Sequence, residues 1–221
     1  MTTSSPSSKT QRPYAGKDAG LRQKERKDQL VQSSVRLFGK DGFSAVSIDA
    51  ICADAGLTKR YFYEAFPDRE ALLTAAYERV TQEFLQSILV AAAPHLQDSR
   101  RLVRAGLTET FGFVQRNPDK GRLMMIEAMS VRGQLGKVYG KRYDEFVNLL
   151  LEFTRPLLTQ AAPDERTFRV LAKGVVGALI HLCQGWIATD FKQPMQELID
   201  GMELMMGGLG VQLGVKGWVD T

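Results

Sequence analysis

Between residues 47 and 66 the sequence SIDAICADAGLTKRYFYEAF confines the chain to two short helices joined by a glycine turn. Ser47 offers its hydroxyl to a free backbone N–H, and Ile48, Ile51, Cys52 and Ala55 then recur at i, i+3, i+4, i+7, the spacing of one buried helical face. Gly56 should stop that helix, because glycine tolerates the left-handed backbone that turns a chain sharply, and Thr58 is placed to cap the next. On the second helix Phe62, Ala65 and Phe66 fall on one side, while Arg60, Tyr61, Tyr63 and Glu64 fall on the other. The apolar side docks on the first helix. The polar side, with Thr58, Lys59 and Arg60 at its start, suits a DNA major groove, where Arg and Lys donate to guanine O6 and N7. The spacing alone also fits an ordinary surface helix.

Charge favours the DNA reading. Residues 1–69 hold 12 Lys+Arg against 8 Asp+Glu, and the remainder holds 17 against 17, so the whole formal +4 lies with the motif. Phosphate neutralisation requires such a basic balance, since each cation set against a phosphate releases condensed counterions.

The stretch LVQSSVRLFGKDGFSAVSIDAICADAGLTKRYFYEAFPDREALL resembles the N-terminal domain of tetracycline-repressor (TetR) type transcriptional regulators. The resemblance rests on many positions at fixed offsets: LF..DGF closing a first helix, Ser before the second, AGL[ST] at the turn, then FY..F, an acidic cap, a basic residue, Glu and a Leu pair. It covers the first third of the chain closely; beyond that it rests on length, helicity and the closing LIDGMELMMGGLG. It implies DNA contacts from Ser47, Thr58, Lys59, Arg60, Tyr61, Tyr63 and Arg69, with Tyr63 and Arg69 on backbone phosphates. Two positions depart from the family: Arg60 where many members carry Gly, which adds a base or phosphate contact, and Ala65 where many carry a phosphate-binding His.

Residues 1–20 are rich in Ser, Thr, Pro, Gly and Lys with no apolar run, so a disordered arm lacking a signal peptide's core is expected there. Lys9, Arg12 and Lys17 would either follow DNA or stay solvated. Beyond residue 70 every strong period is helical. Asp68 caps a helix over 69–92 with Leu72, Leu73, Ala76, Tyr77, Val80 and Phe84 inward, and further helices read as 99–116, 119–130, 135–161, 164–190 and 194–206. Pro156 interrupts the fourth of these and predicts a kink or two helices. GGLGVQLG reads as a helix stop and tail.

Residues 170–189 are the most apolar stretch. Lys173, His181 and Gln184 interrupt it, and an intramembrane charge costs about 2.5 to 3.5 kcal/mol, which argues against a membrane span. Gly174, Gly177, Ala178 and Gly185 let another helix approach, either within the chain or, as the resemblance implies, in a twin subunit.

No enzyme motif emerges: Gly-x-Ser-x-Gly, a phosphate loop and HExxH are absent, and Asp144–Glu145 and Asp164–Glu165 are neighbours that splay apart on a helix. Cys52 and Cys183 read as small core residues, a redox role for Cys52 being the weaker alternative. With only His95 and His181 besides, no metal cluster or cofactor is expected. The resemblance implies an effector pocket for a small hydrophobic or aromatic molecule, for which Phe84, Phe111, Met125, Met129, Phe146, Phe153 and His181 are the candidates, each also plausible as plain core.

The expectation is an all-α, homodimeric, cytoplasmic regulator, in the first place a repressor that leaves a palindromic operator when its effector binds. It comprises an arm (1–20), a three-helix DNA-binding domain (21–67) and a helical-bundle effector and dimerisation domain (68–213). Two readings compete: a helical small-molecule-binding or enzymatic protein whose helix-turn-helix is only packing, and a constitutive DNA binder with a solid C-terminal core.

Overall fold

Polar caps and prolines set the helix boundaries. The computed structural model describes residues 14–128, 134–159 and 163–219. Helix α1 runs Tyr14–Asp41, α2 Ile48–Ala55, α3 Lys59–Ala65, α4 Arg69–Ala92 and α5 Ser99–Arg116. A short α6, Pro118–Arg122, tightens into a π turn over Leu123–Glu127, and α7 (Gln134–Thr154), α8 (Glu165–Ala188) and α9 (Met195–Gln212) follow. Ser47, Asp68, Asp98 and Asp164 each accept backbone N–H bonds at the starts of α2, α4, α5 and α8, satisfying donors with no intrahelical partner. Gly56 closes α2 at φ 66°, and its N–H bonds back to Ala53 O.

The sequence boundaries of α4 and α5 hold; four others shift. Residues 14–20, expected in the disordered arm, are the first turns of α1, while Lys9 and Arg12 lie outside the described residues. The helix expected over 119–130 is α6 plus the π turn as far as residue 128. Pro156 ends α7 at Thr154 and sits in a 3₁₀ turn, Arg155–Leu157. Helix α9 does not stop at Met206 but continues to Gln212, because Gly207 and Gly210 lie under the Trp218 indole.

Helices α1 to α3 pack around Leu30, Phe38, Ile51, Phe62 and Phe66, all at most 4 % exposed. The same core continues through Leu72, Leu73, Tyr77 and Val80 of α4 into the bundle of α4 to α9. At the seam, α1 meets α6 so closely that a Cβ on Gly39 would lie 2.6 Å from Asp119 Cα. Gly42, at φ 84°, turns the chain out of α1, and the next N–H, of Phe43, donates to Glu127 Oε2 at 2.8 Å. The π turn of the larger bundle is thereby fastened to the loop that leads into α2.

Candidate DNA-binding face and effector cavity

Recognition helix α3 stands on buried Phe62 and presents its first turn outward. Lys59 and Arg60 are exposed, Arg60 by 84 % of its side chain, and Tyr63 is 57 % exposed. Both cations have partners when DNA is absent: Lys59 Nζ lies 2.9 Å from Asp49 Oδ1, and Arg60 Nε 3.0 Å from Glu64 Oε1. The Asp49 hydrogen bond raises the Lys59 pKa and keeps the ammonium charged. Exposed pairs of this kind are worth about 0.2 to 1 kcal/mol, so a phosphate or base edge displaces them at small cost. Thr58 occupies the N-cap position in extended conformation but makes no side-chain cap bond, which leaves its hydroxyl available. Ser47 spends its hydroxyl on Ala50 N.

Two expected contacts sit differently. Tyr61 is half-buried rather than outward, with the Arg26 guanidinium of α1 stacked 4.4 Å from its ring centroid. Arg69 donates from Nη1 to the carbonyls of Phe43 and Val46 and lies 4.8 Å over the Phe43 ring. It ties α4 to the α1–α2 loop. Nothing in spacing alone reveals this, because the partners are backbone carbonyls 23 and 26 residues away.

An apolar cavity of about 240 Å³ lies inside the bundle, between α4, α5, the π turn, α7, α8 and α9. Tyr77 and Ala92 of α4 both line it, so it extends roughly 22 Å at 1.5 Å per residue. Of the expected pocket residues, Phe84, Met125, Phe146 and Phe153 line it, with Phe84 packed 5.5 Å from Phe146. Phe111 is fully buried against Trp186, on the neighbouring face of α5, and is core. His181 is exposed and does not line the cavity: it shares the outward stripe of α8 with Gly174 and Gly185. Met129 lies outside the described residues.

The cavity also has walls that apolar patterning did not single out. Tyr77, Thr81, Tyr139 and Tyr143 group at the end near α3, and among the described residues no charged side chain lines the cavity. Tyr77 and Tyr139 rings stand 6.1 Å apart, and burial raises both phenol pKa values, so they remain hydroxyl donors. Tyr143 donates to Lys173 O at 2.8 Å.

Residues 30–76, covering the seam, the turn and α3, match the family model of bacterial regulatory proteins, tetR family. That stretch is a TetR-family DNA-binding domain. The chain is a DNA-binding transcriptional regulator.

Relatives extend the likeness beyond α3. An uncharacterized HTH-type transcriptional regulator of Bacillus subtilis is 43 % identical over 54 residues, 24 % of this chain and 19 % of that protein. The HTH-type transcriptional activator FasR of Mycolicibacterium smegmatis is 21 % identical over 201 residues, 90 % of either chain. The structure of the regulator FadR from Bacillus subtilis, in complex with stearoyl-CoA, superposes with a TM-score of 0.68 at 14 % identity, over 86 % of this chain and 98 % of that one. At that identity the superposition speaks for the fold, and the fold is all-helical among the described residues.

Proposed function

We propose that this regulator binds a palindromic operator as a homodimer and releases it when an elongated, uncharged apolar effector enters the cavity. In the division this implies, α1 to α3 read DNA while the bundle from α4 onward binds effector and pairs subunits. The cavity's far wall at Val215 and Trp218 extends the second part beyond residue 213. The observation that carries the DNA reading is the exposed first turn of α3, where Thr58, Lys59, Arg60 and Tyr63 project together from a rigid apolar base. Lys59 and Arg60 would read bases, and Tyr63 would position the protein on phosphate.

The effector class follows from the walls. Among the described lining residues a charged ligand would find no counter-charge to offset its lost hydration, whereas a neutral head can meet the Tyr77 and Tyr139 hydroxyls and leave its apolar tail among Phe84, Phe146 and Phe153. FadR, of similar fold, forms a complex with stearoyl-CoA, a molecule with a long apolar chain, which supports an elongated apolar effector here.

Support for the dimer comes from α8 and α9. A Cβ on Gly174, Gly185, Gly201 or Gly208 would meet nothing within 4 Å, and Val170, Leu204 and Val211 are 53 to 80 % exposed. Helix α8 is long and apolar enough to cross a membrane by length and composition, with 33 % of its apolar window buried within the chain. A second copy packed on these glycines covers that surface without a bilayer and places two α3 helices for two half-sites.

Selection of bound sequences from a random duplex library tests the reading. Enrichment of an inverted repeat is expected; a selection yielding no sequence preference at moderate salt would overturn it.

A further inference from the structure

We infer that residues 213–219 form a built end wall of the effector cavity and that Trp218 sets the greatest length of ligand it accepts. This rests on the cavity being the effector site, as proposed above. After α9 the chain turns back at Gly214 (φ 65°) and Gly217 (φ 87°) and lays Val215 and Trp218 across the end of the bundle remote from α3. Both residues line the cavity, together with Ala92, Leu102 and Leu157.

The hook is fastened on three sides. Lys216 N donates to Leu157 O at 2.7 Å and Thr159 N to Gly214 O at 2.8 Å, on the turn after α7. Ser99 Oγ donates to Lys216 O at 2.5 Å and Arg100 Nε to Gly217 O at 2.6 Å, at the start of α5. Arg100 also stacks 5.1 Å from the Trp218 ring. Helix α9 is shaped to receive the indole: a Cβ on Gly207 would lie 2.5 Å from Trp218 Cζ3, and one on Gly210 2.8 Å from Cδ1. Two glycines that cost a helix stability make room for one ring. A surface tail would need none of these bonds.

The consequence is directional. The hydroxyls of Tyr77 and Tyr139 hold the head of a ligand near α3, so its tail points along α4 toward Trp218. Affinity therefore rises with each methylene until the tail meets the indole, and falls beyond it. Each methylene that finds room is worth about fourfold in affinity.

A series of straight-chain n-alkanols, neutral and graded in length, provides the probe. Binding to full-length protein is read by isothermal titration and by thermal shift, and in a Trp186→Phe background Trp218 becomes the remaining indole, its fluorescence reporting the tail directly. Wild type should show a length cutoff, with Trp218 emission changing most for the chain just below it. Trp218→Ala should move the cutoff to longer alkanols, and the first chain beyond the wild-type limit should bind at least about fourfold more tightly. Gly207→Ala, which leaves the indole in the chain but ejects it from its seat, should move the cutoff the same way and serves if Trp218→Ala does not fold. An unchanged cutoff in the folded variants overturns the end wall while leaving the cavity as a ligand site. If no alkanol binds wild type at any length, the cavity reading fails, and the length limit fails with it.

Discussion

Two glycines on one helix should respond to alanine with opposite signs. Gly39, at the inner end of α1, faces α6 so closely that a new Cβ would lie 2.6 Å from both Cα and the carbonyl carbon of Asp119, and closer still to its oxygen. Ordinary carbon–oxygen contacts begin near 3.3 Å, and every atom in the way is backbone, so no side-chain rotation relieves the clash. Helices α1 and α6 must separate by roughly an ångström, straining the neighbouring Phe43 N–H bond to Glu127. Overpacking of this kind typically costs about 1 to 3 kcal/mol. At about 2 to 4 °C per kcal/mol for a chain of this size, Gly39→Ala should lower Tm by roughly 2 to 12 °C. Gly20 stands on the same helix with nothing within 4 Å of its would-be Cβ, so Gly20→Ala should hold Tm or raise it, alanine being up to about 1 kcal/mol the better helix former. Calorimetry at one protein concentration compares the three, since a dimer's Tm depends on concentration. If Gly39→Ala melts with Gly20→Ala, within about 2 °C, the α1–α6 seam is not close-packed and the reasoning fails.

Binding to operator should weaken steeply with salt, with a log–log slope of about −0.9 per neutralised phosphate; a flat plot contradicts the phosphate contacts. Arg60→Ala should cost roughly 1 to 3 kcal/mol on the preferred site and relax preference at one base pair, whereas Tyr63→Phe should weaken all sequences alike; equal behaviour of the two in a binding-site selection would undo the assignment. Gly185→Leu, which meets no atom of its own chain, should give monomers with unchanged circular dichroism in sedimentation, while a persistent dimer would place the interface elsewhere. Asp54 has its pKa lowered by hydrogen bonds from Ser33 and Arg36. Its contribution is therefore present above the unfolded value of 3.8 and lost as pH falls through the lower folded one, so Asp54→Asn should destabilise by at most about 1 kcal/mol at pH 7 in urea melts, and the difference should shrink as pH falls below 3.8.

The elements legible in the sequence are those whose boundaries are local. Asp68 and Pro94 bracket α4, and Ser47 and Gly56 bracket α2, through caps and turn chemistry that depend only on near neighbours. Cys52 and Cys183 are buried as their positions suggested, and burial raises both thiol pKa values, Cys183 to about 12, which disfavours the reactive thiolate a redox role at Cys52 requires. What escaped is tertiary. Gly207 and Gly210 read as a helix stop because the indole that fills their faces arrives from eight and eleven residues downstream. The intrachain partners of Arg69 and Tyr61, the Phe43 and Val46 carbonyls and the Arg26 guanidinium, are distant in sequence and invisible to spacing. His181, a pocket candidate by its apolar neighbours, is put by helical rotation on the exposed glycine stripe.

Phe43 explains how a ligand in one half of the chain could be felt in the other. Its N–H is held by Glu127 of the π turn, its carbonyl by Arg69 in the first turn of α4, and its ring lies under that guanidinium and 5.2 Å from Phe38 of α1. The loop carrying it leads into α2, on which α3 packs. The larger bundle thus grips the DNA-binding helices twice, through α4, separated from α3 by three residues, and through Glu127. Met124 and Met125, in the same π turn, line the cavity, and Gln184 of α8 donates to Met125 O at 2.8 Å. A π turn departs from the regular helical ladder and recurs at functional sites. Under the proposed function, an effector that displaced the methionines would move Glu127 relative to α4, and two grips moving relative to one another would rotate or strain the loop between them. The sign of the response then depends on whether the empty or the filled geometry spaces the two α3 helices for the operator, so one architecture serves a repressor or, as with FasR, an activator. The coupling itself is reciprocal: whatever factor the effector takes from operator affinity, the operator must take from effector affinity.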